Sequence, residues 1–146
     1  MNKDRLRLIA VLLITSAGLS CSRPDTNAAP APDSAAQLQS IPAASREKYE
    51  TVAKKDWPNP HLIVRQDGIG LVDLANNEIH ILKPNDVGAA LAQLPPTAWP
   101  FGRVVGVEQK SGSSDQEKAN LRATRALLVG TLQDLKVEVY WIPSPK

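Results

Sequence analysis

One cysteine, two histidines and very few aromatic residues limit what this chain can do chemically. With Cys21 alone, an intramolecular disulfide is excluded, as are the Cys and His clusters that hold structural zinc. His61 and His80 belong to no metal-binding helix motif, and they read as solvent-exposed histidines at strand edges rather than catalytic or metal-bound ones. There is no Gly-x-Ser-x-Gly elbow for a hydrolase nucleophile. No cofactor motif is present, so no cofactor is expected. The carboxylates Asp67, Asp73, Glu78, Asp86, Glu108 and Asp115 are scattered, without a pair set at an acid/base distance, and read as solvated surface.

An excess of positive charge is missing too, once it is located. The formal charge is +2, and Lys3, Arg5 and Arg7 against Asp4 account for all of it. From Cys21 onward the chain is balanced, without the clustered Lys and Arg that neutralise phosphates in a nucleic-acid binder. At 146 residues there is room for one domain preceded by a tail, but not for two independent cores.

Residues 1–20 have the build of a secretory signal peptide: basic Lys3 to Arg7, apolar Leu8 to Ile14, then small Thr15 to Gly18. Spanning ~30 Å of hydrocarbon takes about 20 apolar residues, so this run is too short for a permanent transmembrane helix. Ala17-Gly18-Leu19-Ser20-Cys21 resembles the lipobox of bacterial lipoproteins, although Gly18 stands where leucine is usual and Leu19 where a small residue is usual. That resemblance implies diacylglycerol on Cys21, cleavage after Ser20 and acylation of the new amino terminus. The alternative is an ordinary signal peptide cut near Ala17, which leaves Cys21 a free thiol. Each buried methylene contributes about 0.8 kcal/mol, so several acyl chains would make the membrane anchor effectively permanent. Ser22 after the cysteine is similar to an outer-membrane sorting signal, which implies the periplasmic face of that membrane.

Ser22 to Ala44 carries Pro24, Pro30, Pro32 and Pro42 among many alanines and reads as a disordered tether with a reach of about 25 to 30 Å. Residues 45–146 read as the folded domain. Ser45 suits an N-cap for an amphipathic helix over Arg46 to Trp57, with Tyr49, Val52, Ala53 and Trp57 on one face. Strands are expected at His61 to Gln66, Ile69 to Asp73 and Glu78 to Leu82, punctuated by Asp67-Gly68 and Asn76-Asn77. A helix over Pro84 to Leu94, a buried strand over Gly102 to Gln109, a helix from Ser114 to about Leu135 and a strand over Val137 to Ile142 complete the order. The sharpest local signal is Ser114-Asp115-Gln116-Glu117, a capping box. Crossover connections then predict an α/β two-layer sandwich: a small mixed sheet of about five strands, two crossover helices and the N-terminal amphipathic helix.

From His61 to Ser144 the layout is similar to the periplasmic domain of the ExbD/TolR biopolymer-transport family, through Leu62 to Asp73, Leu91 and Leu94, Arg103-Val104-Val105-Gly106-Val107 and Leu128 to Ile142. The resemblance implies an envelope binding or adaptor role. It does not extend to proton coupling, because no acidic residue interrupts Leu6 to Ser20, and Lys136 stands where the family commonly has glycine.

Two places are candidate binding sites. Lys110-Ser111-Gly112-Ser113-Ser114 joins a buried strand to a helix N-terminus, where free N–H groups favour anions; phosphate-loop spacing is absent, and a plain loop is the competing reading. Trp99, in the Pro-rich Pro95 to Phe101 segment, would serve a protein partner if exposed, whereas core packing is its commoner use. The leading expectation is a non-catalytic, membrane-tethered binding domain with an envelope protein partner and no nucleic acid. The alternative is a small enzyme or anion-binding module built on the 110–114 loop, with its ligand open.

Overall fold

The computed structural model describes residues 32–143. The signal peptide, Cys21 and the first part of the expected tether lie outside the described residues.

A five-stranded mixed sheet is ordered β3-β2-β1-β4-β5, with β1 at His61–Val64, β2 at Ile69–Asp73, β3 at Glu78–Leu82, β4 at Val104–Gln109 and β5 at Glu138–Trp141. The first three strands form an antiparallel meander, and β4 and β5 continue parallel to β1. The meander follows from its turns. Gly68 takes φ +143° and Asn77 φ 55°, conformations that glycine and asparagine tolerate best, while Arg65 clasps Asp67 through two hydrogen bonds of 2.8 and 3.1 Å across the first turn. Central position explains why all four residues of β1 are buried, as are five of the six in β4.

The crossovers between parallel strands carry α3 (Val87–Ala92) and α4 (Asp115–Asp134). Leu121, Leu128 and Leu132 of α4 and Val87 and Leu91 of α3 bury themselves against Leu62, Val64, Ile69, Val105 and Val107. Pro84–Asp86 forms a 3-10 turn before α3 rather than helix, since Gly88 and the short Ala-rich run hold only a brief α-helix.

Two expectations need correction. Pro32–Ser40, read as part of a tether, is a helix, α1, whose Leu38 is fully buried in the same core. The chain then runs on against β4, with the Arg103 N–H bonded to Pro42 O at 2.8 Å. Arg103 also reaches Leu38 O (3.2 Å) and Lys136 O (2.8 Å), so one side chain clasps the entry of the fold to the turn before β5. The fold thus begins well before Ser45. Composition misleads here because one leucine supplies the apolar contact.

The expected Arg46 to Trp57 helix is only a short α2, Arg46–Tyr49, followed by a 3-10 turn at Lys54–Asp56. β-Branched Thr51 and Val52 weaken a continuous helix, and the segment serves instead as a strap over the second face of the sheet. Tyr49 and Trp57 are buried there with Val104 and Ile142. Trp57 stacks on Tyr140 (centroids 5.1 Å, planes 10° apart) and meets Phe101 edge-on at 5.7 Å. Gly106 makes room: a Cβ there would lie 2.6 Å from Trp57 Nε1. The strap covers the β4–β5 half of this face only.

Candidate functional site

The 110–114 loop lies where the sequence places it, between β4 and α4, but its helix N-terminus is already occupied. Ser114 Oγ accepts from Glu117 N at 3.1 Å, and the Glu117 carboxylate accepts from Ser113 N (2.6 Å) and Ser114 N (3.2 Å) as well as from the Ser113 hydroxyl. The Ser113 hydroxyl, then the Ser113 N–H, Gln66 and the Ser114 N–H pull the Glu117 carboxyl down to about 2. The expected capping box is formed in full. As anion ligands, Ser113 and Ser114 are therefore withdrawn, because the protein's own carboxylate sits where the anion would.

Beside the loop is a groove of about 480 Å³ floored by Leu121, with Lys110 and Gly112 on one wall and Lys118, Arg122 and Arg125 on the other. Lys118, Arg122 and Arg125 fall on one stripe of α4 at helical spacing. Gly112 is required by close approach, since a Cβ would stand 2.9 Å from the Lys118 backbone nitrogen. The parallel strands β1, β4 and β5 end here, the position where open α/β sheets receive ligands. Lys110 and Gly112 are legible in the sequence as loop residues, whereas Arg122 and Arg125 join them only because the strand-to-helix crossover brings α4 back beside Lys110.

Trp99 does not face solvent. It is 4% exposed and belongs to the main core, so the Trp99 docking proposal is withdrawn. Among the described residues its Nε1 has no hydrogen-bond partner. A short, proline-bounded turn delivers the ring into the main core, which is the commoner fate of a tryptophan in a small domain.

The meander half of the second sheet face is left open by the strap. Ile79 and Ile81 of edge strand β3 are 43% and 45% exposed, beside half-buried Val72, buried Ile63 and exposed Leu74. A depression of about 660 Å³ runs over this surface, with Lys55 and Lys110 on its rim. On its floor are His61 and Glu108, with Nε2 and Oε2 3.6 Å apart, both almost fully buried. His61 therefore differs from the exposed strand-edge histidine expected: β1 is the middle strand of the sheet, and Glu108 of β4 lies alongside. His80, on the edge strand, is exposed as expected.

Among the described residues there is no group of three or more His, Cys, Asp or Glu able to hold a metal ion, and no helix long and apolar enough to cross a membrane. Compared with family models, curated proteins and solved structures, the chain matches none.

Proposed function

We propose that this protein is a lipid-anchored, non-catalytic binding or adaptor domain of the bacterial cell envelope. Cys21 carries the lipid, the outer membrane's periplasmic face holds the anchor, and the open half of the sheet receives a partner protein. What carries the binding part of the reading is the apolar edge: Ile79 and Ile81 exposed on an edge strand whose outer side has no strand neighbour among the described residues, next to Ile63 and Val72. Monomeric proteins ordinarily blunt such an edge with charge or cover it, and an extended segment of another protein can pair with its free backbone groups.

The partner's chemistry follows from the rim. Lys55 and Lys110 flank the depression, so the part of the partner that covers it lays apolar side chains over Ile63 and Ile79 and places carboxylates beside the two lysines. The lipobox-like Ala17 to Cys21 supports the anchor, and the resemblance to the ExbD/TolR periplasmic domain supports an adaptor role in the same space.

Two measurements test the reading. Intact mass of protein from bacterial membranes should show cleavage before Cys21 and added acyl chains, both lost in Cys21→Ala; an unlipidated wild-type product removes the anchor. For the edge, a photo-crosslinking residue at position 79 should give a discrete adduct that disappears in Ile81→Asp, whereas the same residue at the exposed Leu127 of α4 should not. Equal adduct patterns from both positions would sink the docking surface.

A further inference from the structure

We propose that the groove between the 110–114 loop and α4 binds a phosphate-bearing anion through Lys110, Arg122 and Arg125. The inference does not depend on the lipid anchor or on the β3 edge. Three observations converge on it.

The first is uncompensated charge. Four cationic side chains line one groove, and only Lys118 has a carboxylate partner, Asp115 at 3.4 Å; among the described residues, Lys110, Arg122 and Arg125 have none within ion-pair distance. Like charges gathered at this range repel, and a bound anion relieves that repulsion. Among the described residues no acidic side chain lines the facing wall: Asp115 is engaged with Lys118, and Glu117 is turned onto Ser113 and Ser114.

The second is orientation. The Arg125 guanidinium carbon lies 3.8 Å over the Trp141 ring, and one Nη approaches Gln109 Oε1 at 3.5 Å. Arg122 spends its Nε on Lys118 O at 3.2 Å. Both guanidinium groups are thus held by contacts at one side while donor edges remain. Two such forks one helical turn apart suit the oxygens of a tetrahedral phosphate, which a single carboxylate cannot fill.

The third is place and size. The groove opens where the parallel strands β1, β4 and β5 end, beside a loop kept thin by Gly112, and its volume of about 480 Å³ is that of a small-molecule site. Leu121 at the floor gives the non-phosphate part of the ligand an apolar surface. The same phosphate chemistry reaches the groove either on a soluble ester or on a lipid headgroup.

The test uses the full chain in zwitterionic detergent, following the Trp141 indole N–H and the Gly112 amide by NMR during titration with inorganic pyrophosphate, with acetate as the comparison anion. Saturable shifts at both positions with pyrophosphate, and much weaker ones with acetate, are expected. Arg122→Gln combined with Arg125→Gln should weaken binding by about tenfold or more, Arg122→Lys with Arg125→Lys should be intermediate, and Lys48→Gln, outside the groove, should change nothing. Since the arginines are exposed, an unchanged thermal midpoint is expected in each variant, so lost binding reads as lost contacts.

A parallel arm replaces pyrophosphate with phosphatidylcholine vesicles, with or without phosphatidylglycerol. Response to pyrophosphate assigns a soluble phosphate ligand, and response to phosphatidylglycerol alone assigns a headgroup. Silence in both arms, or shifts that survive the double glutamine substitution, overturns the proposal.

Discussion

The Tyr49 hydroxyl donates to Glu138 Oε1 at 2.6 Å, fastening the strap over the second sheet face to the last strand. Arg46 Nε donates to the same oxygen at 2.9 Å. Burial, together with the neighbouring carboxylate, pushes the Tyr49 phenol up to about 12, against about 10 for a free phenol. Because the folded value is the higher one, the contribution is complete below pH 10 and is lost as pH rises towards 12. Denaturant unfolding as a function of pH should show stability falling across that interval, and Tyr49→Phe should flatten the slope. At pH 7 the same variant should cost ~1.5–3 kcal/mol, the range for a hydrogen bond to a charged group.

The α4 capping box titrates at the other end of the scale. Glu117 is held at about 2 by donors it would lack when unfolded, so its contribution is present above the ordinary carboxylate range and is lost as pH falls towards 2. Glu117→Gln should remove that acid-side slope in pH-dependent unfolding. Ser114→Ala, which leaves the Glu117 N–H without its acceptor, should cost ~1 kcal/mol at neutral pH.

Lys136 adopts φ 56°, left-handed backbone that a side chain disfavours. The strain amounts to roughly 1–2 kcal/mol for a residue with a Cβ, partly offset by the ~0.5–1 kcal/mol of extra freedom that glycine loses on folding. Lys136→Gly should therefore stabilise the protein by ~0.5–1 kcal/mol, since the carbonyl that accepts from Arg103 stays in place. A higher denaturation midpoint with an unchanged slope is the expected result, and a lower midpoint would contradict it.

Leu38 tests where the fold begins. It is fully buried in the main core, on a helix that packs against α3, so Leu38→Ala should cost ~2–5 kcal/mol. Gln39→Ala, on the exposed side of the same helix, should cost less than ~0.5 kcal/mol. Equal, small losses in both variants would return the segment to the tether.

Trp99 combines a large buried ring with an unpartnered Nε1. Trp99→Phe removes the orphaned donor and leaves a smaller void, two effects of similar size and opposite sign, so a change under ~1.5 kcal/mol is expected from calorimetry. Trp99→Ala should cost ~3–5 kcal/mol.

Where local rules act alone, residues could be matched to structure in advance. Ile69 to Asp73 and Glu78 to Leu82 have the strand limits expected of them, and Ser114 and Glu117 form their reciprocal cap, because turn residues and capping are decided within a few positions. The α/β class followed from the alternation of those elements. What depended on distant neighbours was not legible. His61 is buried because four strands assemble around it, and α1 exists because Leu38 finds a cavity made by residues far along the chain. The cationic groove is the same case: Lys110 and Arg125 look unrelated until β4 and α4 fold back on one another.

The Arg103 clasp sets a mechanical order. Tension arriving from the amino-terminal direction meets α1 first, and α1 and the residues just after it are tied through Leu38 O and Pro42 O to Arg103, immediately before β4, a strand in the interior of the sheet. Load is thus delivered beside the central strands instead of at the frayable β3 edge, so a pull would peel a single short helix and break the Arg103 contacts before any strand pair is sheared. The surface around Ile79 would keep its shape while the attachment yields.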